Sequence, residues 1–147
     1  MMRRRQFIVT GAVSSACFLS MSPLNLFGAW SAKDFQQCPI EQAFMAALGT
    51  SAPVNSDQIT IVAPPAAEDS SLVPVQVISS LKSEALYLFA EKNVTPLIFK
   101  CTLQGNVIPW FSLNIKMKES SALYAVVRSG GTYFMTSVHV EIVAQAC

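Results

Sequence analysis

From Gln58 to Val143 the chain is written in short runs of β-branched and aromatic residues, separated by turn signals. The runs span 58–63, 73–79, 85–91, 97–103, 110–117, 122–128 and 132–143. In the fifth, Phe111, Leu113, Ile115 and Met117 alternate with Ser112, Asn114, Lys116 and Lys118, so one face belongs to a core and the other faces out. The breaks have physical causes: Pro64-Pro65 cannot continue a ladder, Asn93-Val94-Thr95-Pro96 is a turn, and Ser129-Gly130-Gly131 supplies the positive φ angles of a hairpin. The last two strands should therefore pair antiparallel, with Phe134, Val138, Val140 and Ile142 on one face and His139 and Glu141 on the other. About seven strands of this length predict an all-β sandwich.

One segment follows a different period. In 39–48, Ile40, Ala43, Phe44, Ala47 and Leu48 share a helical face, with Pro39 at the start and Gly49 at the end. This predicts one short N-terminal amphipathic helix, too short to hold alone and so docked on the strands. Residues 50–57 read as a loop.

Composition narrows the class. At 147 residues the chain suits one domain, and 52% hydrophobic against 13% charged residues excludes a disordered polyelectrolyte. Arg3, Arg4 and Arg5 precede a mildly apolar run from Phe7 to about Met21 and a break at Pro23, the layout of a removable signal peptide. Arg4-Arg5-Gln6-Phe7-Ile8 resembles the twin-arginine signature, so residues 1–32 are expected to be a twin-arginine-type leader, cleaved near Ala29 or Ala32, and 33–147 a periplasmic domain. Ser14 stands where a lipoprotein box wants a branched apolar residue, which leaves Cys17 as part of the leader. From Lys33 onward seven basic residues face nine acidic ones, a balance that argues against nucleic acid as a partner. After leader removal no membrane span is expected.

Catalytic constellations are scarce. With a single histidine there are too few ligands for a blue-copper or zinc site, and there is no nucleophile elbow, phosphate-binding glycine loop or paired-cysteine motif. No cofactor is expected. In an oxidising compartment Cys38, Cys101 and Cys147 cannot all pair within one chain; a Cys38–Cys101 disulfide is possible, against Cys38 as a residue at the start of the helix and Cys101 as a small strand hydrophobe. A dyad of His139 with Cys101 or Cys147 is also conceivable. Cys147 follows the last apolar strand after Ala144-Gln145-Ala146, where a thiol on a tail can enter another protein's active site. No neighbouring cation would activate its thiolate, so reactivity falls to a partner.

These features resemble the SoxY family, carrier subunits of bacterial thiosulfate oxidation. The residues that carry the likeness are Ile59-Thr60-Ile61-Val62-Ala63-Pro64 with Glu68, Val73-Pro74-Val75-Gln76-Val77, Glu91-Lys92-Asn93 with Thr95-Pro96-Leu97, Lys116-Met117-Lys118-Glu119-Ser120-Ser121 and Tyr124-Ala125-Val126-Val127. The resemblance implies an immunoglobulin-like β-sandwich that is not itself an enzyme. It implies a SoxZ-like sandwich subunit as partner, with haem-containing and hydrolytic Sox enzymes acting on sulfur held covalently by Cys147. One departure is plain: the family cysteine is flanked by glycines, whereas Cys147 follows Ala144-Gln145-Ala146, a bulkier and stiffer arm. A sandwich that keeps only the subunit interface, or a thiol redox enzyme pairing Cys147 with Cys38 or Cys101, are the alternatives.

Overall fold

The seven expected runs resolve into two sheets in a computed structural model that describes residues 31–105 and 107–143. The expected leader with Cys17, and the tail with Cys147, lie outside the described residues. The helix α1 (Ile40–Leu48) is followed by nine strands: β1 (Val54–Asn55), β2 (Ile59–Val62), β3 (Ala66–Ala67), β4 (Val73–Ser79), β5 (Ala85–Ala90), β6 (Leu97–Thr102), β7 (Trp110–Ile115), β8 (Ser121–Ser129) and β9 (Thr132–Ile142). The seven expected strands are all present. The two additions, β1 in the segment read as a loop and β3 just after Pro64-Pro65, are two-residue pieces that pair parallel with β9.

The larger sheet has the order β1-β9-β8-β5-β6, with β3 also on β9, and the smaller has the order β2-β4-β7. Between them lies the main core, in which Val73, Val75 and Val77 of β4 meet Leu86 and Leu88 of β5, Leu123 and Val127 of β8, and Val140 of β9. Each such fully buried side chain contributes about 1.5–3 kcal/mol relative to exposure. Ile115 and Met117 are buried and Phe111 and Leu113 half-buried, while Ser112, Asn114, Lys116 and Lys118 are exposed, so the expected alternation holds.

A second core lies on the opposite face of the larger sheet. There α1 sets Ile40, Ala43, Phe44 and Leu48 against Ala85, Tyr87, Phe89, Leu97 and Val126. Phe44 stands edge-on to Phe89 at 4.8 Å and to Tyr124 at 5.6 Å. Covered on both faces, β5 is buried at all six positions. The helix ends where Gly49, at φ 74°, turns left-handed and its N–H donates to the Met45 carbonyl. Ahead of it, the Lys100 ammonium on β6 pairs with Asp34 at 2.6 Å and ties the N-terminal segment to the sheet edge.

Turn chemistry fixes the register. Gly130 and Gly131, at φ 57° and 78°, close a two-residue hairpin in which Ser129 pairs with Thr132. Pro74 lies in the middle strand of its sheet, yet β2 pairs only as far as Gln76, so β4 is locally an edge there and tolerates the missing N–H.

Candidate functional site

The strand that leads to Cys147 is held firmly up to its last described residue. Opposite Glu141 and Ile142 lie Ala66 and Ala67 of β3, and the Val143 N–H donates to the Ala67 carbonyl at 2.9 Å. The Ile142 N–H donates to the Ser120 hydroxyl at 2.8 Å. The tail therefore starts from a clamped strand end rather than from a frayed one.

At the same end of the sandwich is an open cavity of about 650 Å³. Val94, Leu97 and Met117 give it apolar wall, Lys116 and Lys118 flank it, and no carboxylate lines it. Asn93 shapes this corner from the β5–β6 turn: its side-chain amide donates to the Lys116 carbonyl at 2.8 Å and its Oδ1 accepts from the Lys118 N–H at 2.8 Å. Met117, fully buried between the two lysines, donates its N–H to Ser70. Alternation then puts both lysine side chains on the side opposite Met117. Sequence reading took this stretch as the end of a strand and as part of the family likeness, not as the wall of a cavity completed by Asn93 from a separate turn.

The other thiols do not converge. Cys101 pairs with Leu86, whose side chain lies in the inter-sheet core, whereas Cys38 packs with α1 on the far side of the same sheet. Both are free, each donating to a carbonyl nearby in sequence, Cys38 to Gln36 and Cys101 to Thr102. The disulfide left open by the sequence is not formed in this structure, because a sheet separates its partners. His139 is exposed on β9, opposite Ala122. Strands β8 and β5 stand between it and Cys101 on β6, about 14 Å at ordinary strand spacing, so these two form no dyad. Among the described residues no cluster of His, Cys, Asp or Glu could hold a metal ion, and no helix is long and apolar enough to cross a membrane.

A second surface was not anticipated. The outer face of the smaller sheet is crossed by the rows Thr60–Ile78–Trp110 and Val62–Gln76–Ser112, without a charge. Trp110 is 65% exposed and the adjoining Ile108 80%. Exposed apolar clusters of this kind mark contact surfaces.

The described residues thus form a two-sheet sandwich whose final strand is held at its end by β3 and Ser120. Residues 44–147 match the family model "Sulfur oxidation protein SoxY", and the chain belongs to that family, a family of carrier proteins. Among solved structures it is similar to the sulfur carrier protein SoxY from Chlorobium limicola f thiosulfatophilum, at 27% identity and a TM-score of 0.64, covering 71% of this chain and 96% of that one. A superoxide reductase (neelaredoxin) from Ignicoccus hospitalis shares the fold at 15% identity and a TM-score of 0.51, covering 62% of this chain and 95% of that one. No curated protein matches the chain.

Proposed function

We propose that this protein is the sulfur-carrier subunit of a Sox-type thiosulfate oxidation system, with Cys147 as the attachment point. The observation that carries this reading is family membership across residues 44–147, a span that includes Cys147. In the proposed cycle an S–S bond forms between the Cys147 thiolate and the terminal sulfur of thiosulfate, and the two electrons released pass to a haem-containing partner. Water then cleaves the sulfur–sulfonate bond at a hydrolytic partner, releasing sulfate and leaving a persulfide on Cys147. The carrier contributes a tethered thiol; the redox and hydrolytic groups belong to the partners.

The leader-like 1–32 segment supports export to the periplasm, where a SoxZ-like subunit would join the chain. Replacing the family's glycines with Gln145 and Ala146 gives an arm suited to wider or altered partner channels. A strain carrying Cys147→Ser tests the reading: it should lose thiosulfate oxidation while the protein still accumulates. Full thiosulfate oxidation in that strain would overturn it.

The uncharged face bearing Ile78 and Trp110 favours a second reading, a sandwich that acts only by binding a partner subunit. Partner binding abolished by Trp110→Glu, in a protein that carries no sulfur in cells, would select this reading over the first.

A further inference from the structure

We infer that the open edge of β7 is a self-association site, at which a second copy of this chain adds its own β7 antiparallel and joins the two smaller sheets into one. The site stands whether or not Cys147 carries sulfur. Strand β7 ends the smaller sheet and pairs only with β4. The Pro109 carbonyl accepts from the Ser79 N–H and the Met117 N–H donates to Ser70, so Phe111, Leu113 and Ile115 turn their backbone groups toward β4. Trp110, Ser112 and Asn114 turn theirs to the open side, where no strand lies among the described residues.

Natural sheet edges are blunted by lysine, proline, irregular pairing or shortness. The other edges of this sandwich follow that rule. Strand β6 carries Lys100 and a break in its register with β5, β2 is four residues long and stops before Pro64-Pro65, and β1 and β3 are two-residue pieces. Among the described edges β7 alone escapes it: its six residues, Trp110–Ile115, contain no charge and no proline. Phe111 and Leu113 are left half-buried on its inner face, and Trp110 is exposed on its outer one.

The sequence of β7 selects its own copy as the occupant. A two-fold axis at Ser112 sets Ser112 opposite Ser112, Trp110 opposite Asn114 and Phe111 opposite Leu113 of the second copy. Each Ser112 N–H then donates to the other Ser112 carbonyl, and each Asn114 N–H to the other Trp110 carbonyl. The Trp110 N–H takes no part, since it is bonded to the Ile108 carbonyl. Phe111 and Leu113 complete each other's burial as a cross-strand pair. No like charges meet, because Lys116 comes opposite Ile108 of the second copy rather than its own counterpart. The axis also sets the two β9 ends, each anchored on Ser120 just past β7, at opposite ends of the joined sheet. On the carrier reading, the two tails are then served separately.

The test uses the full chain with Cys17, Cys38, Cys101 and Cys147 replaced by serine, so that no disulfide joins copies. Sedimentation should show a dimer that dissociates on dilution. Amide exchange at Ser112 and Asn114 should be slow in the dimer and fast after dilution, with Phe111 and Leu113 protected in both states. Ser112→Pro removes an N–H that β4 does not use, so it should abolish the dimer while Leu113 stays protected. Ser112→Lys sets two ammonium groups together at the axis and should weaken the dimer several-fold at low salt. Thr60→Lys, on the same outer face but at β2, should leave it unchanged. A monomer at every concentration, a dimer whose Ser112 and Asn114 amides exchange freely, or a dimer lost in Thr60→Lys but kept in Ser112→Lys would overturn the site.

Discussion

Ser120 and Ile142 are joined by a hydrogen bond from the Ile142 amide to the Ser120 hydroxyl at 2.8 Å, a side-chain anchor set between the backbone bonds from Glu141 to Pro65 and from Val143 to Ala67 at the end of β9. The next residue has the opposite character. Ser121 is buried, pairs with Val140, and its hydroxyl has no partner among the described residues. Ser120→Ala should therefore cost about 1 kcal/mol and speed hydrogen exchange at Ile142 and Val143, whereas Ser121→Ala should be neutral or stabilising, because it removes an unsatisfied buried hydroxyl. Denaturant titration of both variants checks the pair, and equal destabilisation would contradict it.

Phe44 is the anchor of α1. Between the Phe89 and Tyr124 rings it fills the second core, and Phe44→Ala should destabilise by about 3–5 kcal/mol, with Phe44→Leu costing clearly less. A nine-residue helix has little stability of its own, so exchange protection in Ala43–Leu48 should fall before that of β5 and β8.

Burial, with the Tyr133 hydroxyl beside it, pushes the Tyr87 phenol up from 10.0 to about 12. A raised folded-state value means that the neutral form is favoured by folding: the contribution is complete below pH 10 and is lost as pH rises toward 12. Tyr124 is raised as well, first by burial and then by Glu91 and Glu41. Stability should hold from neutrality to mildly alkaline pH and then fall by an amount on the order of 2 kcal/mol attributable to Tyr87. Tyr87→Phe should flatten that fall, read as the denaturation midpoint against pH.

Asn93 serves two backbone groups at once. Asn93→Ala leaves the Lys116 carbonyl and the Lys118 N–H without these partners and should cost about 1–3 kcal/mol, while loosening the corner between the β5–β6 turn and the end of β7. Exchange at the Lys118 amide is the local readout.

Much of the sandwich is legible in the sequence because its devices are local. The Phe111 to Lys118 alternation and the Ser129–Thr132 hairpin declare their faces and register without reference to the rest of the chain. Strands β1 and β3 are not legible, since two residues carry no period and exist only by pairing with distant β9. The relation of Cys38 to Cys101 was hidden for a similar reason. It depends on α1 covering the outer face of β5, so that Tyr87 and Leu86, one residue apart, belong to different cores. The Lys116–Lys118 corner needed Asn93 brought to it from a separate turn. Cys147 stood out as a thiol on a tail beyond the last apolar strand, its sulfur-carrying role entered through resemblance, and it lies outside the described residues.

The most direct test of the carrier function is the mass of Cys147 in protein purified from thiosulfate-grown cells. The account predicts a peptide ending in Cys147 that carries added sulfur or thiosulfonate, removed by a thiol reductant and absent from cells grown without a sulfur donor. A Cys147 peptide that is an unmodified thiol under both conditions would contradict it.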